Sequence, residues 1–127
     1  MAIHQFVKRI DLGLEVPLFG TGNSERDYTY IDDIIQGIMA AIEVPYSFEI
    51  FNLGNSRTVV LSELVDLIGR AIGKKPRLTK LPFQKGDAPR TWADLTHTSQ
   101  ILGYQPRIDI VEGIESFVSW YRSQKLA

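Results

Sequence analysis

Arg26 is the side chain of this sequence best suited to hold an anion. Its guanidinium offers a planar fork of donors that fits a phosphate or a carboxylate and stays charged at every working pH. It follows a turn of small residues, Gly20, Thr21, Gly22, Asn23 and Ser24, where backbone N–H groups can be free for an anion. Spacing alone favours a plainer role, a surface arginine paired with Glu25 or Asp27. Farther on, Asp87 stands next to Gly86 with Lys85 and Arg90 close by. A carboxylate there can accept bonds from sugar hydroxyls, and Arg90 can add positive charge near a phosphate. A solvated loop with local ion pairs is an equally good reading. Phe19 can fill core or lie against a base, and both roles stay open.

Other spacings invite chemistry and fail. Gly20 and Gly22 begin a dinucleotide-type GxGxxG, but the third glycine would be Glu25, whose carboxylate repels a pyrophosphate. No helix opens directly after it, so a turn is the expectation. Tyr121 and Lys125 are spaced like a Tyr-xxx-Lys acid/base pair. Tyr121 belongs to an apolar helical stripe, however, and no Ser or Thr partner lies suitably upstream. His4 and His97 read as surface or helix-face residues, and two histidines with no cysteine make no zinc site. Trp92 and Trp120 read as core anchors.

Bulk properties narrow the class. The 127 residues suffice for one domain, or a piece of one, with a modest core. Fourteen basic against fifteen acidic residues give a net charge of −1, no field for nucleic acid or an anionic membrane. No uncharged run reaches bilayer length, and the N-terminus lacks a signal-peptide core. A cytoplasmic protein is expected.

The elements that would position these residues mix α and β. Ile3, Phe6, Val7 and Ile10 recur at helical spacing up to Gly13. With no N-cap before it, this helix reads as cut short. Residues 16–19 read as a strand that Pro17 confines to an edge. Residues 28–31 are β-prone. Asp32 or Asp33 then caps a helix whose core face carries Ile34, Ile35, Ile38, Met39 and Ile42, stopped by Pro45. Residues 48–53 read as a strong strand. Ser62 caps the next helix, with Leu64, Val65, Ile68 and Ile72 inward and Gly73 and Pro76 at its end. Residues 77–81 alternate like a strand, 82–91 form a polar loop, and a short helix ends at Gly103. Asp109 and Glu112 make a capping box for a last helix with Ile110, Ile114, Phe117, Val118 and Tyr121 on its buried stripe. Residues 123–127 read as a fraying tail.

Several stretches line up in order: residues 2–6, 19–22, 26–34, 50–55, 86–94, 102–106 and 113–121. This series resembles the C-terminal part of NAD-dependent nucleotide-sugar epimerases/dehydratases of the extended short-chain dehydrogenase/reductase family, and UDP-glucuronate 4-epimerases most of all. It covers nearly the whole chain. The resemblance implies an α/β, mixed α+β substrate lobe, with 48–53 as a strand belonging to a Rossmann sheet outside this sequence. It implies that Arg26 contacts a nucleotide diphosphate, that Asp87 lies near the ribose or phosphates, and that Pro17 and Phe19 border the uracil. Gln84 stands where many relatives carry a phosphate-gripping arginine; Arg90 is the substitute the sequence offers. The substrate would be a UDP-sugar and the reaction a 4-epimerisation through transient oxidation at the sugar C4, with a 4,6-dehydratase, a decarboxylase or a non-catalytic assembly module as alternatives. NAD would serve the parent enzyme and bind elsewhere than on this chain. The resemblance implies that the NAD-binding half with its Gly-rich loop and catalytic Tyr-xxx-Lys lies outside this sequence, so the chain alone should be inactive and should self-associate through an orphaned sheet edge.

Overall fold

The computed structural model describes residues 2–125. Along them run α1 (Ala2–Asp11), β1 (Glu15–Phe19), β2 (Glu25–Asp27), α2 (Ile31–Glu43), β3 (Thr58–Val60), α3 (Leu61–Ile72), β4 (Arg77–Leu81), β5 (Arg90–Thr91), α4 (Thr96–Leu102) and α5 (Ile110–Lys125). The core forms where the apolar stripes of α1, α3 and α5 meet. Phe6, Val7 and Ile10 pack there with Leu64, Val65, Ile68 and Ile72 and with Ile114, Val118 and Tyr121. Each such side chain, fully buried, stabilises by about 1.5–3 kcal/mol. Gly73 closes α3 in the left-handed conformation with its N–H on the Gly69 and Arg70 carbonyls, the stop expected from the sequence.

Two small sheets flank this core. In one, β1 and β4 run parallel, with Glu15 opposite Arg77 and Phe19 opposite Leu81. In the other, β2 is central, antiparallel to β3 and parallel to β5. The strand following the turn is Glu25–Asp27, not the β-prone residues 28–31, because β2 finds two ladder partners and the later residues find none. Asp27 fixes this sheet to its surroundings. Its carboxylate accepts the N–H groups of Asn55 (2.9 Å), Ser56 (2.9 Å) and Ala93 (3.1 Å). A Cβ on Gly54 would lie 2.5 Å from the Ala93 Cβ and 2.7 Å from an Asp27 oxygen, so only glycine passes there.

Helix starts differ from expectation. Neither Asp32 nor Asp33 caps α2, whose N-cap is Tyr30 with no side-chain bond. The Asp33 carboxylate is buried and instead accepts the N–H groups of Arg107 (2.9 Å) and Ile108 (3.0 Å). Ser62 is not the cap of α3 either; that residue is Val60. The first N–H groups of α3, on Leu61 and Ser62, donate to the carbonyls of Ser24 (2.9 Å) and Gly22 (3.0 Å). Backbone carbonyls of the small-residue turn thus satisfy donors that a side chain would otherwise take. For α5 the expected Asp109 cap is present, its carboxylate accepting Glu112 N–H at 3.0 Å. That helix continues through residues 123–125, and the last two residues of the supposed tail lie outside the described ones.

The largest departure is α2. Of its supposed core face Ile35, Ile38, Met39 and Ile42 are all exposed, Ile42 by 72%. Its buried positions are Asp33 and Gly37. Residues 48–53 form no strand. They lie beside α4, held by Thr98 Oγ1 donating to the Asn52 carbonyl (2.7 Å) and by Phe51 stacked on His97 at 5.5 Å. A strand exists only through a ladder partner, and none of the described residues supplies one. Trp92 (55% exposed) and Trp120 (51%) are not core anchors; Trp92 lies under the Arg90 guanidinium, 4.7 Å from ring centroid to carbon.

Candidate functional site

Arg26 occupies the middle of the central strand β2. The ladder holds its backbone on both sides, so the side chain leaves from a rigid base. One guanidinium nitrogen donates to the Glu25 carbonyl at 2.7 Å, and the other meets Asp87 Oδ1 at 2.5 Å. Asp87 reaches this position from the loop between β4 and β5. Gly86 adopts φ +90 and the Asp87 N–H donates to the Gln84 carbonyl at 3.2 Å, a tight turn that aims the carboxylate at the strand. At the loop's far end Glu25 N–H holds the Pro89 carbonyl at 2.8 Å. The local pairing of Arg26 with a Glu25 or Asp27 carboxylate does not form. A long-range pair with Asp87 forms instead.

Arg90 goes elsewhere. The β2–β5 register sets Glu25 opposite Arg90 and Arg26 opposite Thr91. Side chains alternate along a strand, so Arg90 shares a face with Glu25 and not with Arg26. Its Nε lies 3.2 Å from Glu25 Oε2, and its plane covers Trp92. The positive charge expected to stand in for Gln84 is thereby engaged on the other side of the ladder. Gln84 itself is exposed. Pro17 and Phe19 are half-buried on β1, with Phe19 level with Leu81 at the end that leads into the Asp87 loop.

Both glycine amides of the turn before Arg26 are taken up inside the fold. Gly20 N–H donates to the Leu81 carbonyl (2.9 Å) and Gly22 N–H to Phe19 (3.4 Å). These two amides are engaged inside the fold, and Arg26 is the cationic group aimed at the Asp87 loop.

Sequence reading passed over Tyr28. Two residues beyond Arg26, it lines a largely apolar cavity of about 610 Å³ with Ile3, Ile34, Ile108, Phe117 and Trp120. Burial pushes its phenol above the ordinary value, and the Arg26 charge partly opposes this. His4 also borders this cavity, while His97 is exposed beside Glu49 at 3.4 Å. Among the described residues no cluster of three potential metal ligands occurs, and no helix is long and apolar enough to cross a membrane.

Comparison with known proteins agrees with this architecture. The model of the "NAD dependent epimerase/dehydratase family" matches residues 1–54. The UDP-glucuronate 4-epimerase of Thermodesulfobacterium geofontis is 37% identical over 121 residues, which are 94% of this chain and 37% of that protein. The crystal structure of the Thermotoga maritima UDP-glucose 4-epimerase with UDP-glucose superimposes with a TM-score of 0.91 at 30% identity, over 98% of this chain and 40% of that one. The UDP-glucuronic acid 4-epimerase of Bacillus cereus, in complex with UDP-glucuronic acid and NAD, gives 0.89 at 28% identity, over 98% and 40%. The chain therefore spans roughly two fifths of the length of the proteins it matches. In its motifs and in its backbone alike, it belongs to the NAD-dependent epimerase/dehydratase family.

Proposed function

We propose that this chain is the nucleotide-sugar-binding lobe of a UDP-sugar 4-epimerase. The observation that carries the reading is the Arg26–Asp87 pair. A guanidinium on a rigid strand is held at 2.5 Å by a carboxylate from a glycine-turned loop. An incoming diphosphate can take the guanidinium fork bidentately. Released from it, Asp87 would accept ribose hydroxyls. Pro17 and Phe19 would border the base, and Gln84 would meet the phosphates as a neutral donor.

NAD supplies a hydride acceptor and donor at the sugar C4 in such chemistry. The described residues do not fit it. The Gly20–Gly22 turn has both glycine amides on internal carbonyls and leads into a strand, with Glu25 in place of the third glycine. The cofactor seat and the catalytic acid/base groups are assigned to the portion of the relatives that this chain does not span, and the chain alone is expected to be inactive.

The exposed face of α2 supports a partner domain. Phe48 and Ile50 are 80% and 70% exposed, whereas Phe51 and Leu53 turn inward, Leu53 against Gly37. That period-two pattern is a strand awaiting a ladder. Residues 48–53 would join the sheet of an NAD-binding domain, and α2 would cover one face of it.

Titration of UDP and UDP-glucuronate into the chain, followed by NMR, tests the reading with Arg26→Ala as control. Saturable shifts around Arg26 and Asp87, lost in the variant, are expected. Binding that ignores the substitution would remove Arg26 from the site.

A further inference from the structure

Phe83 is an exposed aromatic that is nevertheless held in place. It is 59% exposed, yet its ring edge and backbone rest on Gly20. A Cβ added to Gly20 would meet Phe83 Cδ2 at 3.2 Å, its Cβ at 3.7 Å and its Cα at 3.9 Å. Gly20 adopts φ +63 and donates its N–H to the Leu81 carbonyl at 2.9 Å. Pro82 precedes the ring and fixes φ there. The ring therefore has a preset position, with most of its surface in water. A hydrophobic side chain arranged only for stability would be turned inward, where burial is worth most.

The same loop ends its turn at Asp87, which holds Arg26. Phe83 and Asp87 are four residues apart and so at most about 14 Å along the chain, within reach of an extended nucleoside diphosphate. One short loop thus presents a π face at one end and frames a guanidinium at the other. The chemistry that recognises both is a planar heterocycle joined through a sugar to a diphosphate.

We propose that Phe83, beside Gly20 at the end of the β1–β4 sheet, is the stacking platform for the nucleotide base. This rests on the nucleotide-sugar reading above and adds a residue to it. Stacking on an aromatic side chain tolerates any base, so Phe83 would set affinity for the base without choosing among bases.

The test compares UDP with inorganic pyrophosphate, which carries the anion without the base, on the native chain and on Phe83→Leu and Phe83→Trp. Leucine keeps an apolar group over Gly20 and loses the π face; tryptophan keeps it. Loss of affinity for UDP by about tenfold in Phe83→Leu, with pyrophosphate unchanged and Phe83→Trp at or above native strength, is the expected result. Equal weakening of both ligands, or of neither, overturns the platform while leaving Arg26 as the diphosphate site. Absence of saturable UDP binding to the native chain at millimolar ligand overturns the platform and the nucleotide-sugar reading together.

Discussion

Asp87 Oδ1 lies 2.5 Å from Arg26 Nη2 although 61 residues separate the two. Their side chains remain 43% and 25% exposed, so solvent screens the pair and its net stabilisation is small, about 0–1 kcal/mol. Its consequence is positional. The carboxylate keeps the guanidinium oriented, and an anion of higher charge can displace it.

Binding should follow from that exchange. Arg26→Ala is expected to weaken UDP by roughly ten- to a hundredfold, the loss of one or two charge-assisted bonds. Arg26→Lys should recover only part of this, because an ammonium lacks the fork. Added salt should weaken the native chain and leave Arg26→Ala nearly unaffected. Calorimetric titrations at two ionic strengths check all three.

Asp33 serves stability through two backbone donors. Asp33→Ala leaves the N–H groups of Arg107 and Ile108 without their acceptor in a buried setting. A loss of about 2–4 kcal/mol is expected, with Asp33→Asn intermediate because one oxygen remains. Urea denaturation measures both, and native-like stability in Asp33→Ala would refute the assignment.

Gly37 is a packing position on a helix that otherwise faces outward. An added Cβ would stand 2.4 Å from Leu53 Cδ2 and 3.0 Å from the Tyr104 ring. Alanine gains about 1 kcal/mol of helix propensity. Overpacking against Leu53 and the buried Tyr104 costs about 1–3 kcal/mol. Gly37→Ala should therefore lower the unfolding midpoint.

Stability should fall on the alkaline side. Burial raises the Tyr104 phenol above its ordinary 10.0, with the Asp33 charge adding to it, and burial likewise raises Tyr28. A group whose folded pKa is raised stabilises fully below its unfolded value, and that contribution is lost as pH rises through the folded one. The decline should begin above pH 10 or so. Tyr104→Phe should flatten it while costing about 1 kcal/mol at neutral pH, since the hydroxyl donates to the Gly54 carbonyl at 2.8 Å. Denaturation midpoints across pH, with phenolate absorbance, measure the effect.

The exposed apolar face of α2 should make the isolated chain associate. Ile38→Lys with Ile42→Lys, both at exposed positions, is expected to yield monomer by light scattering without loss of stability. A native chain that stays monomeric at high concentration would rule out that face as sticky.

The helices of the core were readable because each signal is local. The 3.6-residue periodicity of Phe6, Val7 and Ile10 or of Leu64, Val65 and Ile68, and the glycine stop at Gly73, depend on neighbours within a few residues. Ordered motifs likewise pointed to the family. Periodicity reports that α2 has an apolar face and residues 48–53 an alternating one, but not what covers them, because burial needs a second surface. Likewise, Arg26 and Asp87 could be singled out by type, whereas their meeting depended on Gly86 turning a loop back onto β2. Arg90, equally suitable by type, was assigned to the opposite face by the one-residue alternation of the β2–β5 ladder. Asp27 read as a partner for Arg26 and Asp33 as a possible helix cap, whereas backbone donors from distant segments converge on both. Residue chemistry and local period were thus written in the chain, while pairing across long loops, and therefore the shape of the candidate site, came only with the tertiary fold.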